Sequence, residues 1–157
     1  MKNRSTKHKI ALVEIVIVVL LAVWLFFPKN FQKAMGYDFD PEQVTAVTAL
    51  LAAGEEERTV DLSPADPAFE ELMTLLESSR YRAQGAGGQD QGQELGCQVT
   101  LTFRQDAQVY TLSFSGGEQM DFHGSGEEGS RAFRPTEGLP LQQEVLDLLL
   151  EQAHIAE

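Results

Sequence analysis

Residues 10–27, IALVEIVIVVLLAVWLFF, are apolar at every position but Glu14, and beyond them the apolar residues recur only in short runs of period two or of three to four. An unbroken run of that length is enough for a helix that crosses a bilayer core. Lys2, Arg4, Lys7 and Lys9 precede it and only Lys29 and Lys33 follow soon after. By the positive-inside bias the N-terminus is then cytoplasmic. Trp24, Phe26 and Phe27 at the far end suit an interfacial aromatic belt. A cleaved secretory signal fits less well, because the run is long and Gln32-Lys33-Ala34 lacks the small-x-small pattern of a cleavage site. The chain thus divides into a basic leader over 1–9, a transmembrane signal anchor over 10–27, a juxtamembrane stalk over 28–40 and one extracytoplasmic domain over 41–157. The expected location is the cell membrane, in a single pass.

Within the outer part, Val44 to Leu51 is rich in β-branched residues, and Gly54-Glu55-Glu56 followed by the alternating Thr59-Val60-Asp61-Leu62 predicts a β-hairpin. Asp66 as N-cap, Pro67 at the first helical position and Glu70 and Glu71 in the first turn predict a helix. Its Phe69, Leu72, Met73 and Leu76 share one face directed at a core. Gln84 to Gly96, with five glycines and no apolar period, reads as a mobile connection. Then comes a hairpin in which Val99, Leu101 and Phe103 alternate with threonine and arginine, and Leu112 and Phe114 with threonine and serine. Short strands at Gln119 to His123 and Arg131 to Arg134 follow, and Leu139 to His154 predicts a terminal helix with Leu141, Val145, Leu148 and Leu149 on one face. The fold class is therefore α+β: an antiparallel sheet with two helices packed on one face, in the order ββαββββα, after the transmembrane helix.

The chain of 157 residues carries a formal net charge of −12, and from Asp38 onward 23 Asp and Glu stand against six Arg and no Lys. Such a surface repels nucleic acid and anionic headgroups. Cys97 is the single cysteine, which removes an intramolecular disulfide and a cysteine-rich metal site. At the start of a strand it reads as a small hydrophobe.

Catalytic signatures are missing from the sequence. No HExxH, GxSxG, SxxK or DxDxDG pattern is present, and neither glycine-rich stretch has the spacing of a phosphate-binding loop. His123 with Asp121 two residues away on the same strand face is the one pairing that suggests a base or metal ligand; the alternative is a polar surface position. Arg80, Tyr81 and Arg82 could line a groove, although cations also follow a helix C-terminus for electrostatic reasons. Glu14 is an ionisable group inside an apolar helix and so a candidate functional residue.

The run Ile10 to Val18 around Glu14 resembles the start of type IV pilins and pseudopilins, where a glutamate is the fifth residue of an apolar helix and contacts a neighbouring subunit in assembly. Lys9 stands where that family has glycine, and Gly36 and Pro41 interrupt the long helix of a pilin. The chain as a whole resembles an uncharacterised family of small, single-pass, membrane-anchored α+β proteins of anaerobic Firmicutes. The likeness rests on FFPKNFQKAMGYDFDPEQVTAV, DPAFEELMTLLESSRYR, the Tyr-x-Leu-x-Phe strand at Tyr110 to Phe114 and LQQEVLDLLLEQ. It implies no activity and no site residue.

The sequence therefore supports a non-enzymatic, membrane-anchored extracytoplasmic domain with a binding or envelope-associated role and no cofactor, catalytic residue or metal. Its partners are the lipid bilayer, through 10–27, and an unknown protein or envelope component, with no nucleic acid. The alternative is a pseudopilin-like assembly subunit that uses Glu14.

Overall fold

The computed structural model describes residues 3–84 and 94–155, with side chains throughout except at 3–8, 24–26, 94, 139 and 155. Helix α1 (Asn3–Phe26) is followed by the short helix α2 (Phe31–Met35) and a 3-10 turn at Pro41–Gln43. Strands β1 (Ala46–Ala53) and β2 (Glu56–Leu62) lead into helix α3 (Pro67–Ser78). Strands β3 (Tyr81–Ala83), β4 (Glu94–Gln105), β5 (Gln108–Gly116), β6 (Met120–His123) and β7 (Arg131–Pro135) precede helix α4 (Leu139–Ile155). The strands form one antiparallel sheet in the order β2-β1-β4-β5-β6-β7-β3.

Alternation along the strands decides which face is buried. Val47, Ala49 and Leu51 of β1, Val99, Leu101 and Phe103 of β4, and Tyr110, Leu112 and Phe114 of β5 point to one side, where they meet Leu72, Met73 and Leu76 of α3 and Val145 and Leu149 of α4. A period of two on the sheet thus meets a period near 3.6 on the helices, and the apolar stripes close on each other. The α+β class, the antiparallel sheet, both hairpins and both long C-terminal helices are as the pattern predicts. Asp66 occupies the N-cap position of α3 with Pro67 after it, but its carboxylate turns back to accept from the Ser63 amide at 2.7 Å and hydroxyl at 2.8 Å. Those bonds hold its carboxyl below the usual aspartate range.

Two strand assignments go beyond the sequence reading. Tyr81–Ala83 is an edge strand on β7, with Tyr81 buried, and its outer side is closed by paired backbone bonds between Lys29 and Tyr81. Neither a groove nor a simple helix end describes it. Of the connection expected at Gln84 to Gly96, residues 85–93 lie outside the described residues, while 94–96 already belong to β4.

Residues 28–40, expected as a stalk, supply part of the core: Phe31, Ala34, Met35 and Phe39 are all at most 1% exposed. The Phe31 ring lies 5.4 to 6.3 Å from those of Phe39, Phe103, Tyr81 and Phe122, mostly edge to face. Asn30 caps α2 by accepting from the Lys33 amide at 2.9 Å, and Gly36 ends it at φ 138°, a value that favours glycine. The Arg131 guanidinium donates to the Met35 carbonyl at 2.8 Å, tying this segment to β7. The folded unit thus begins before residue 41.

The N-terminal helix requires a correction. Among the described residues no helix is long and apolar enough to cross a membrane. The transmembrane anchor at 10–27, the single-pass topology, the cell-membrane location and the bilayer contact drawn from them are withdrawn. None of the side chains over 9–23 is buried against the domain.

Candidate functional site

Helices α3 and α4 lie on one side of the sheet, so among the described residues no helix covers its other face, whose chemistry is set by the alternate strand positions. Pairing across five strands aligns Asp61, Thr48, Thr102, Thr111 and His123 in one row. A second row runs Thr59, Leu50, Thr100, Ser113, Asp121 and Ala132. The face is therefore dominated by hydroxyls, with Thr48 donating to the Asp61 carboxylate at 2.7 Å. The outer sides of α3 and α4 differ sharply, since they expose Glu70, Glu71, Glu77, Glu144, Asp147 and Glu151. Glu77 is raised above the usual glutamate range, first by partial burial and then by the charges of Glu42 and Asp40.

A polar cleft of about 160 Å³ opens on the uncovered face where β4, β5 and β6 meet. Its cause is a register shift: Glu94 pairs with Gly116 and Val99 with Phe114, so residues 95–98 bulge away from β5. Gly96 takes φ 69° within the bulge, a conformation that costs glycine little. Gln98, Ser113, Ser115, Gln119 and Asp121 present polar side chains to the opening. Gln119 Nε2 donates to Asp121 Oδ1 at 2.9 Å, which orients both groups. From the helix side, the fully buried Gln142 of α4 donates to the carbonyls of Gly117 at 3.3 Å and Gln119 at 3.4 Å, pinning the β5–β6 turn that forms one wall. Its Oε1 has no hydrogen-bond partner among the described residues.

The residues singled out by sequence are mostly kept apart. Asp121 and His123 do share a face, yet Asp121 is engaged by Gln119, whereas the His123 Nδ1 bonds the Gly129 carbonyl at 2.7 Å. Among the described residues no group of three or more His, Cys, Asp and Glu could hold a metal ion. Cys97 lies in the bulge, half-buried, with its thiol pushed up by burial. Glu14 is exposed on α1. The Gly124 to Gly129 loop is braced by a Glu127–Arg131 ion pair of 3.1 Å. Sequence reasoning did not find Gln98, Ser113, Ser115 or Gln119 as a set. The only sequence trace is polar alternation on β5 and the glycines at 96, 116 and 117.

No family model, curated protein or solved structure matches this chain.

Proposed function

We propose that this chain is a non-enzymatic binding domain and that the uncovered face of its sheet, centred on the cleft between β4, β5 and β6, is the contact surface. The observation that carries the reading is the division of the fold into a strongly acidic helix side and a hydroxyl-rich sheet side that, among the described residues, no helix covers. Acidic side chains on α3 and α4 repel one another and hold water, which keeps that side solvated. Threonine and serine on a pleated surface offer donors, acceptors and methyl groups at fixed spacing, so a partner meets them with little loss of side-chain freedom. The pairing singled out by sequence is divided, with Asp121 bonded to Gln119 and His123 to the Gly129 carbonyl.

The test compares the full chain with Thr102→Arg, Ser113→Arg and, on the helix side, Glu71→Arg as immobilised baits for extracts of the source cells. Partners retained by the wild type and by Glu71→Arg, but lost from Thr102→Arg and Ser113→Arg, support the reading. Equal retention by all four baits, or none by the wild type, overturns it.

A further inference from the structure

We infer that the cleft at the β4 bulge is a site for a small hydroxylated ammonium compound, such as an amino sugar or amino alcohol group, with Asp121 as its charged anchor. The inference rests on the binding reading above and adds the ligand's chemistry to it. Five polar side chains converge on a cleft of about 160 Å³, and among them Asp121 carries the only formal charge. A ligand cation is therefore drawn to one place, while the hydroxyls of Ser113 and Ser115 and the amides of Gln98 and Gln119 match hydroxyl groups around it.

The Gln119 amide donates to Asp121 Oδ1, which fixes the carboxylate plane. Oδ2 makes no hydrogen bond among the described residues and remains an acceptor for an ammonium. Among the described residues no lysine or arginine lines the cleft to compete for Asp121. An anionic ligand is disfavoured by that carboxylate and by the chain's net charge of −12.

The walls are also held in place before any ligand arrives. The β4 bulge is paired on its other side to β1 through Gln98 and Ala52, and the opposite wall is pinned by the buried Gln142. Gln142 is fully buried and spends its amide N–H groups on that turn, with its own acceptor left over. Prior order of this kind reduces the entropy lost on binding.

The test is a titration of the full-length, isotope-labelled chain with glucosamine, followed by amide chemical shifts, beside the neutral isostere glucose. Glucosamine should shift the amides of Gln98 and of Ser113 to Asp121, with glucose at least about tenfold weaker. Asp121→Asn should weaken glucosamine about tenfold and bring it level with glucose, while Ser113→Ala weakens both sugars alike. The wild-type spectrum and the dispersion of each variant's spectrum report the fold independently of binding. No shifts with glucosamine, equal shifts with glucose, shifts confined to the helix side, or unchanged affinity in Asp121→Asn would each overturn the inference. A negative titration alongside loss of capture in Ser113→Arg would sink the ligand assignment and leave the binding surface standing.

Discussion

Gln105 holds Asp40 against the end of the sheet: its Oε1 accepts from the Asp40 amide at 2.8 Å, across 65 residues of chain. The same side chain donates through Nε2 to the Asp38 carbonyl at 2.9 Å. One buried amide thus satisfies two backbone groups of an irregular segment that has no sheet partner there, and it keeps Phe39 seated against Phe103 and Tyr110. Gln105→Ala should cost about 1–3 kcal/mol, the range for buried polar groups left without a partner. Urea denaturation followed by fluorescence or circular dichroism measures it. A change near zero would mean that water replaces both bonds.

The aromatic cluster makes the segment before residue 41 part of the cooperative unit. Phe31 is 1% exposed and touches four other rings. Phe31→Ala is expected to cost about 3–5 kcal/mol, a large share of a small domain's total stability. A fragment starting at residue 28 should show a cooperative thermal transition, and one starting at residue 41 should not. Identical melting of the two fragments would remove 28–40 from the folding unit.

Tyr81 gives the fold an alkaline limit. Its hydroxyl donates to the Leu76 carbonyl at 2.8 Å, and burial, with Glu137 nearby adding to it, pushes the phenol far above the ordinary tyrosine range. The unfolded chain releases this proton near pH 10 while the folded chain keeps it. Above that pH the folded state binds more protons, so stability falls as the pH rises. The urea midpoint should begin to drop near about pH 10 and go on falling above it, and Tyr81→Phe should flatten the drop. Tyr110, also raised by burial, contributes a remaining slope. An unchanged pH profile in Tyr81→Phe would assign the alkaline loss to other groups.

Cys97 is expected to be a quiet thiol. Burial raises it above the usual cysteine range, so the thiolate fraction at neutral pH is low. Alkylation of the folded chain at pH 7 should run slower than that of free cysteine, and Cys97→Ser should change stability by no more than about 0.5 kcal/mol. Rapid labelling would point to opening of the β4 bulge.

Local pattern determined a large part of this protein. The alternation of Val99, Leu101 and Phe103 against Thr100 and Thr102 selects a strand and its buried face from neighbours two apart, and Asp66-Pro67 before Phe69, Leu72, Met73 and Leu76 marks the start and inner face of α3. Such signals need no knowledge of distant residues. Tertiary structure alone decided what depends on distant pairing. Tyr81 becomes an edge strand because Lys29 and Pro135 come to lie on either side of it, and three residues are too few to show a period. Phe31 and Met35 become core because α2 folds back on the sheet, whereas by sequence they read as part of a stalk. The cleft exists because β4 carries extra residues between Glu94 and Val99 relative to β5, and Gln142 supports it from a helix that begins 22 residues after Gly117. No local period encodes that register. The same apolar run that reads so strongly as a bilayer span at 10–27 did not yield, among the described residues, a helix long and apolar enough to cross a membrane.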